Sequence, residues 1–310
     1  MAFWSKPKKK PHCLITITTS DFIPGTLVML YTFFKHNKWF DGDIIIYGYG
    51  LSDTEKSLLE RFPNVQFAAP REDLLQAIDK VVAVRGDLAH KKMVFYSLNL
   101  FMLEGYKRYM YIDSDVLIQG DFGELMDLEY PMMCVPDRAT YLGKAKDGTT
   151  FQVAQAPTEE DHFWYRTFNA GIMFFTDEWV NKKTYKELLK LVNPDLYKSL
   201  KRPSTDQYLL NMYFRKNYHA LPGTYNFRLG LADIIKEREG DTLDTAKLVH
   251  YSGKKNPWKH MQMENNLTKQ PLFYEAMLKW MDAYQGYFTF VKQMEEGLID
   301  VSFFGKVMQR

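Results

Sequence analysis

Two aspartates one residue apart follow a short apolar run in this chain. Asp113 and Asp115 come directly after residues 109–112, which have the pattern of a buried strand. In extended backbone, side chains two residues apart share a face and lie about 6.6 Å apart. The two carboxylates can therefore converge on one divalent cation, which could in turn bind a diphosphate, while Ser114 points the other way. A solvated turn after an ordinary strand is the alternative, and these residues alone leave the two interpretations about even.

The first half of the chain alternates predicted strands with predicted helices, and these elements must position the pair. Strands are predicted over 13–18, 43–47, 65–67 and 109–113. Helices are predicted over 25–35 and 87–104, and a further helix begins after Ser52, whose capping partner is Glu55. The alternation predicts an α/β, Rossmann-like fold with a mostly parallel central sheet. Sites in such sheets lie at the carboxyl ends of strands. Because the aspartates stand at such an end, the metal interpretation becomes the better one.

The second half is less regular. Residues 138–161 are polar and predict a long loop. A strand is predicted over 168–175, a helix from Asp206 through Phe214, and a helical, aromatic-rich tail over 271–310. Aromatic and Met residues recur at helical spacing in the tail, at Phe273, Met277, Trp280 and Tyr284. This spacing favours packing against the main domain, and an interfacial membrane helix is the minority interpretation.

Composition restricts the class of protein. The 310 residues are 46% hydrophobic with a net charge of +2, as in a globular protein, and no nucleic acid is expected as a partner. Cys13 and Cys134 are too few for a disulfide scaffold or a zinc cluster. The basic segment 6–11 is not followed by a secretory signal pattern, and the apolar runs are too short for a transmembrane helix. We therefore expect a cytoplasmic protein; peripheral contact with a membrane and a homodimer are left open.

Six motifs resemble, in order, those of the retaining glycosyltransferases of family 8, which include glycogenin-like and lipopolysaccharide galactosyl- and glucosyltransferases. They are Thr16-Ile17-Thr18-Thr19-Ser20-Asp21, Asp113-Ser114-Asp115, Phe168-Asn169-Ala170-Gly171, Asp206-Gln207, Leu221-Pro222-Gly223-Thr224-Tyr225-Asn226, and His250-Tyr251-Ser252-Gly253 followed by Pro257-Trp258. An Asp-x-Asp alone is weak evidence, whereas six motifs in order are strong. The resemblance implies a GT-A nucleotide-sugar-binding domain over 12–262, followed by a C-terminal helical tail over 263–310.

The resemblance also implies the metal site. His250 would complete it with Asp113 and Asp115. Two carboxylates and one imidazole suit Mn²⁺, or Mg²⁺, with diphosphate oxygens and water filling the remaining positions.

For the nucleotide, the resemblance implies that Thr19, Ser20 and Asp21 hold the uridine. Ser114 and Gly253 are assigned to the same cofactor-binding set. Ile23 stands where the family often has an aromatic residue, so stacking on the base would come from elsewhere, with Phe22 as the candidate.

Cations are the point at which the chain departs from the family. Lys92 lies on a segment similar to the family helix that presents a basic residue to the donor, and Lys91 is the adjacent alternative. The family's phosphate-binding Lys stands directly before Pro-Trp, where this chain has Asn256. Of the nearby Lys254 and Lys255, we expect Lys255 to reach the leaving diphosphate, which needs charge stabilisation.

On the sugar side, the resemblance implies that Asn169, Asp206 and Gln207 form the catalytic set. Gln207 stands where the family's candidate nucleophile would be, but an amide is a poor nucleophile. A front-face reaction is therefore favoured, with Gln207 stabilising the oxocarbenium-like centre. Asp206 would orient sugar hydroxyls, and could also cap its own helix.

These features predict a UDP-sugar-dependent hexosyltransferase that uses UDP-glucose or UDP-galactose and a hydroxyl of a glycan, lipid or protein acceptor. Acceptor specificity is expected in residues 138–161 and in the tail. A non-catalytic nucleotide-sugar-binding protein, suggested by Asn256, and a glycogenin-like self-glycosylating primer are the alternatives. A nucleotidyl transferase also uses paired carboxylates, but the chain has no Gly-x-x-x-x-Gly-Lys loop.

Overall fold

Strands form two sheets in the computed structural model, which describes residues 9–143, 166–200, 205–253, 256–259, 271–299 and 301–309. The strands are β1 (Lys10–Thr19), β2 (Asp43–Tyr49), β3 (Val65–Phe67), β4 (Tyr106–Ile112), β5 (Val116–Ile118), β6 (Met132–Pro136), β7 (Phe168–Thr176), β8 (His219–Ala220), β9 (Phe227–Arg228) and β10 (Leu248–His250). Within these residues, seven strands form one sheet in the order β3-β2-β1-β4-β7-β6-β8, and β5, β10 and β9 form a second, small sheet.

The large sheet is mostly parallel, as predicted. β1 pairs in parallel with β2 and β4, β2 with β3, and β6 with β8. The exception is β7, which runs antiparallel to both β4 and β6. Because of this reversal, the amino end of β7 lies at the same edge as the carboxyl ends of β1 and β4.

Helices cover both faces of the large sheet. The α-helices are α1 (Ile23–His36), α2 (Asp53–Leu59), α3 (Glu72–Val84), α4 (Gly123–Met126), α5 (Arg138–Leu142), α6 (Lys182–Leu191), α7 (Pro194–Ser199), α8 (Asp206–Phe214), α9 (Ala232–Glu239) and α10 (Pro271–Glu295). The 3-10 segments include Ser20–Phe22, Gly86–Met102, Gly223–Asn226, Leu229–Leu231 and Val301–Gln309. One apolar core contains α1 and α10, and the other contains α3, α6 and α8.

Two predicted elements differ in detail. The helix predicted over 87–104 is helical, but its hydrogen bonds are of the 3-10 type over Gly86–Met102. The first residues of the loop predicted over 138–161 form the short helix α5, in which Ala139, Thr140 and Tyr141 are buried. The loop prediction was therefore wrong for this part. Residues 144–161 lie outside the described residues.

The C-terminal helix α10 packs against α1. Phe273 and Trp280 are buried, and Tyr287 makes an edge contact with Tyr31 of α1. This is the packing that the spacing of aromatic residues favoured. None of the described helices combines the length and the apolar character needed to cross a membrane.

Candidate active site

The reversed strand β7 brings the two halves of the candidate site together. Ile112, the last residue of β4, is paired with Ile172, and the backbone N–H of Asp113 donates to the carbonyl of Gly171 at 2.9 Å. His250 ends β10 and is paired with Val116 of β5. Residues separated by more than 130 positions in the sequence therefore meet at one edge of the sheet.

Asp113, Asp115 and His250 form a compact cluster at this edge. Each offers a ligand atom, and these atoms lie within 4.8 Å of one another. His250 Nε2 lies 3.2 Å from Asp115 Oδ1 and 3.8 Å from Asp113 Oδ2. The His250 side chain is 3% exposed, whereas that of Asp113 is 35% exposed. The cluster is thus closed on its protein side and open toward a cavity, which fits a divalent cation that also binds a substrate.

Gly171 makes room for this cluster. A Cβ atom at Gly171 would lie 2.3 Å from His250 Cε1 and 2.8 Å from Asp113 Oδ2. Such distances are well below van der Waals contact, so a larger residue would displace the side chains. The Gly of the Asn-Ala-Gly motif is therefore required by space.

Neighbouring donors hold the second oxygen of each carboxylate. Tyr111 donates its hydroxyl to Asp113 Oδ1 at 2.7 Å, and Asn256 donates its Nδ2 to Asp115 Oδ2 at 3.3 Å. The other oxygen of each aspartate faces His250. Both carboxylates are therefore aimed at the same point, which supports the fit to a metal ion.

The charges of the cluster shift one another's pKa. Burial and the adjacent Asp115 raise the pKa of Asp113. Burial opposes ionisation of Asp115, but the imidazole of His250, together with hydrogen bonds from the backbone and from Asn256, lowers the pKa of Asp115. Burial likewise opposes the charged form of His250, but Asp115 and Asp113 together raise the pKa of the imidazole. Like-charged groups this close are stabilised by a bound cation.

A cavity of about 290 Å³ extends from the cluster. Its lining comes from the end of β1, the β4–β5 link, the start of β7, the start of α8 and the residues after β10. The lining residues are Ile17, Thr18, Thr19, Phe22, Met93, Val94, Tyr111, Asp113, Ser114, Asp115, Asn169, Ala170, Gly171, Thr205, Asp206, Gln207, His250, Ser252 and Gly253. Most of the predicted site residues therefore line one cavity.

Asn169 and Gln207 hold each other at the metal end of the cavity. Asn169 Nδ2 donates to Gln207 Oε1 at 2.9 Å, and the backbone N–H of Ala170 donates to the same oxygen at 3.4 Å. Gln207 Nε2 donates in turn to Asp137 Oδ2 at 3.1 Å. Both ends of the Gln207 amide are occupied, so its orientation is fixed.

Asp206 is a buried carboxylate at the first position of α8. Its Oδ2 accepts a hydrogen bond of 2.7 Å from the hydroxyl of Ser97. Burial raises the pKa of Asp206 to about 6. Thr205, and not Asp206, is the N-cap residue of the helix.

The predicted nucleotide turn, at the carboxyl end of β1, borders another part of the same cavity, the nucleotide end. Thr19 and Phe22 line it, whereas Ser20 and Asp21 do not. The Ser20 hydroxyl donates to the carbonyl of Gly50 at 2.9 Å and to Glu55 of the α2 capping box at 3.1 Å. Ser20 is therefore engaged in fixing the loop after β2.

Ser114 and Ile23 also have packing roles. Ser114 lines the cavity, but its hydroxyl donates to the carbonyl of Ile17 at 2.6 Å. Ile23 is 6% exposed and belongs to the apolar core. Phe22, the candidate for stacking on the base, lines the cavity.

Trp258 and Lys259 support this turn from the C-terminal side. The indole N–H of Trp258 donates to the carbonyl of Asp21 at 2.8 Å, and its ring meets that of Phe22 edge-on at 5.5 Å. Lys259 Nζ lies 3.4 Å from the Asp21 carboxylate and 5.0 Å from the Phe22 ring.

Comparison with known proteins identifies the family. The model of glycosyl transferase family 8 matches residues 13–262. The chain belongs to this family. Galactinol synthase 2 of Arabidopsis thaliana is 28% identical over 218 residues, covering 64% of this chain and 59% of that protein. Galactinol synthase 2 of Solanum lycopersicum is 28% identical over 212 residues, covering 64% of this chain and 58% of that protein. The chain thus spans less than two thirds of the length of these relatives.

Solved structures share the fold. The galactosyltransferase LgtC, solved with donor and acceptor sugar analogs, matches with a TM-score of 0.60 at 16% identity, covering 86% of this chain and 95% of LgtC. The bifunctional glycosyltransferase WbbM matches with a TM-score of 0.58 at 19% identity, covering 90% of this chain and 52% of WbbM. At these identities the likeness establishes the GT-A fold of this family 8 member.

Lys92, one of the two cations predicted for the diphosphate, is not among the described residues that line the cavity. None of the described lining residues is a lysine or an arginine. Lys92 Nζ lies 5.7 Å from the ring of Tyr49, while its neighbours Met93 and Val94 reach the cavity. Lys255 lies outside the described residues, so its role stays a prediction.

Five residues hold the candidate site in the structure although the sequence analysis gave them no such role. They are Tyr111, Asp137, Asn226, Arg228 and Asn256. Two signals were present in the sequence. Asn226 ends the quoted Leu-Pro-Gly-Thr-Tyr-Asn motif, and Asp137 follows a short apolar run, Met132–Pro136, that proves to be strand β6.

Proposed function

We propose that this protein is a metal-dependent, retaining glycosyltransferase that transfers glucose or galactose from a UDP-sugar to a hydroxyl of a glycan, lipid or protein acceptor. The observation that carries the proposal is the cluster of Asp113, Asp115 and His250 at one end of a cavity that reaches the turn after β1. Membership of glycosyl transferase family 8 supports the reaction class.

The residues of the cluster would hold Mn²⁺, or Mg²⁺, through one oxygen of each aspartate and the Nε2 atom of His250. When bound, the ion supplies a Lewis acid that offsets the charge of the diphosphate. Tyr111 and Asn256 keep the two carboxylates in place before the donor arrives. This preorganisation avoids a reorganisation cost during the reaction.

The arrangement of Gln207 favours a front-face reaction over a double displacement. Its amide oxygen already accepts hydrogen bonds from Asn169 and from the backbone of Ala170. Both bonds withdraw electron density from an atom that is a poor nucleophile to begin with. Gln207 instead presents a fixed dipole to the positive charge that develops on the sugar ring.

In the front-face reaction, the acceptor hydroxyl approaches from the side of the leaving phosphate. The bond from the anomeric carbon to the phosphate oxygen breaks as the acceptor oxygen bonds to that carbon, so configuration is retained. The hydroxyl proton passes to the leaving phosphate oxygen. Asp206, held by Ser97, orients sugar hydroxyls beside this centre.

At the nucleotide end, Thr19 and the ring of Phe22 would contact the uridine, with Ser20 and Asp21 shaping the turn. Lys259, above the Phe22 ring, adds a cation near this end of the cavity. Lys92 and Lys255 remain the proposed cations for the diphosphate itself.

The test is manganese-dependent hydrolysis of a panel of UDP-sugars, read as release of UDP. UDP-galactose is tried first because the curated relatives are galactinol synthases, and UDP-glucose second. We expect slow hydrolysis by the wild-type protein and its loss in Asp113→Asn. Asp244→Asn is the matched control, because Asp244 is an exposed carboxylate that pairs with Lys279, and it should retain activity.

A non-catalytic nucleotide-sugar-binding protein is the second candidate. It is favoured by one observation, the absence of lysine and arginine from the described cavity lining. Tight UDP binding without turnover of any UDP-sugar would support it against the transferase.

Self-glycosylation is tested separately by the intact mass of the protein after incubation with UDP-glucose, because each transfer would add one hexose increment.

A further inference from the structure

A row of hydrogen-bonded side-chain amides joins a buried ion pair to the candidate metal ligand His250. At its far end, Arg228 Nη1 donates to Asp137 Oδ1 at 2.6 Å, and both side chains are buried. Gln207 Nε2 donates to the other oxygen of Asp137 at 3.1 Å. Asn169 Nδ2 then donates to Gln207 Oε1 at 2.9 Å.

The row continues through Asn226 to His250. Asn226 Nδ2 donates to Asn169 Oδ1 at 2.8 Å. Asn226 Oδ1 lies 2.8 Å from His250 Nδ1. Asn226 is 0% exposed and stands directly before β9, which pairs with β10 beside His250. Its side chain therefore has no solvent with which to exchange either hydrogen bond.

The direction of this row is fixed at three points. A carboxylate only accepts hydrogen bonds, so Asp137 requires the NH₂ group of Gln207 to face it. Backbone N–H groups only donate, and they provide two independent constraints. The N–H of Ala170 lies 3.4 Å from Gln207 Oε1, and the N–H of Gly171 lies 3.2 Å from Asn169 Oδ1.

It follows that the NH₂ group of Asn226 faces Asn169 and its oxygen faces His250. An amide oxygen only accepts a hydrogen bond, so Nδ1 carries a proton. Nε2 faces the carboxylates of Asp115 and Asp113 at 3.2 and 3.8 Å. These oxygens also only accept, so Nε2 donates to Asp115 until a metal ion replaces its proton. With Nδ1–H held by Asn226, Nε2 is then the nitrogen whose lone pair binds the ion.

We propose that Asn226 is a positioning residue, which holds His250 in the Nδ1–H tautomer through the amide row anchored at Asp137 and so makes Nε2 available to a metal ion. The inference rests on the proposed metal site. It also links the residues proposed to contact the sugar, Asn169 and Gln207, to the orientation of a metal ligand. A histidine ligand whose second nitrogen is held in this way loses affinity for the metal when the holding partner is removed.

The first test reads the tautomer without substrate, in protein loaded with the diamagnetic ion Mg²⁺. Nitrogen-15 NMR of histidine-labelled protein distinguishes the ring nitrogen that keeps its proton when the ion takes the place of the other proton. His250→Gln identifies the signal. We expect the Nδ1–H form in the wild-type protein and a shift toward the Nε2–H form in Asn226→Leu. A wild-type signal of the Nε2–H form would overturn the inference.

The second test measures the affinity for Mn²⁺ alone by calorimetry in two variants of similar size. Asn226→Leu removes the acceptor and should weaken binding by about 10- to 100-fold. Asn226→Asp keeps an acceptor for Nδ1–H and should bind Mn²⁺ at least as well as the wild type. Thermal unfolding confirms that each variant is folded. Equal losses in the two folded variants would show that Asn226 serves packing alone, and would overturn the inference.

The two tests also separate this inference from the proposed function. A wild-type protein that binds neither Mg²⁺ nor Mn²⁺ contradicts the metal site, and the role of Asn226 falls with it. A protein that binds Mn²⁺ equally well with and without Asn226 contradicts the inference and leaves the metal site intact.

Discussion

The two ends of the cavity are built in different ways. At the metal end, each candidate ligand has a second, buried hydrogen-bond partner. The pairs are Asp113 with Tyr111, Asp115 with Asn256, and His250 with Asn226. At the nucleotide end, Ser20 and Asp21 are exposed, and their polar groups are engaged with the loop after β2 and with Trp258 and Lys259.

This difference indicates that the metal end is the more rigid of the two. Transition-state charge is best stabilised by groups that are already in place, and the metal end meets that requirement through buried partners on several elements. The nucleotide end depends on one turn and on the contacts of Trp258 and Lys259 with it. Changes at the metal end should therefore have large effects on turnover, and changes at the nucleotide end should have small effects on affinity.

The largest effect is expected from Gly171→Ala. The added methyl group would meet the ring of His250 and the carboxylate of Asp113, and must move at least one of them. Loss of metal chemistry removes several kcal/mol of transition-state stabilisation, roughly a thousandfold in rate. Calorimetry with Mn²⁺ and UDP release from a UDP-sugar measure the two consequences.

Gly86→Ala is the control for this variant. A Cβ atom at Gly86 has no neighbour within 4 Å, so the same chemical change should leave both measurements unaltered. Metal affinity in folded Gly171→Ala equal to that of the wild type would mean that the cluster tolerates displacement. The metal end would then be less rigid than its hydrogen bonds indicate.

The second effect is on stability, through Asp206→Asn. The folded protein raises the pKa of Asp206 from 3.8 to about 6, so the folded state retains this proton to higher pH than the unfolded state. The free energy of unfolding therefore falls as the pH rises from 3.8 through about 6, and the total loss near pH 7 is about 3 kcal/mol. The variant should unfold at higher temperature than the wild type near pH 7, and should lose transferase activity.

The pH dependence provides the control for Asp206→Asn. Near pH 3 the carboxyl group is protonated in both states, so the variant and the wild type should unfold at similar temperatures. A stability gain of the same size at both pH values would contradict the assignment to ionisation of Asp206.

The sequence predicted the elements around the cavity better than the contacts between them. The apolar run before Asp113 and the capping pair of Ser52 and Glu55 are local patterns, and the structure confirms both elements. The convergence of His250 on the aspartates came only from the resemblance to a family. It depends on pairing between strands far apart in the sequence, which no local pattern encodes.

The missing part is the direction of polar side chains. Asn256 stands where the family has a cation, but its side chain is buried and donates to Asp115. Asp137 and Arg228 form their pair across 91 positions of sequence. Whether a polar residue points into solvent or into a buried network is decided by packing of the complete fold, so composition and spacing could not predict these contacts.

The smallest effect is expected at the nucleotide end, from Trp258→Phe. Phenylalanine keeps an aromatic ring beside Phe22 and Trp280, but loses the hydrogen bond from the indole N–H to the carbonyl of Asp21. A net hydrogen bond contributes about 1 kcal/mol, so UDP should bind roughly fivefold more weakly while the affinity for Mn²⁺ stays unchanged. Calorimetry with UDP and with Mn²⁺ measures both affinities.

Trp39→Phe is the matched control, because it removes an indole hydrogen bond to Asp121 away from the cavity and should leave UDP affinity unaltered. If Trp258→Phe weakened Mn²⁺ binding as much as UDP binding, the two ends of the cavity would act as one rigid unit, and the contrast between them would not hold.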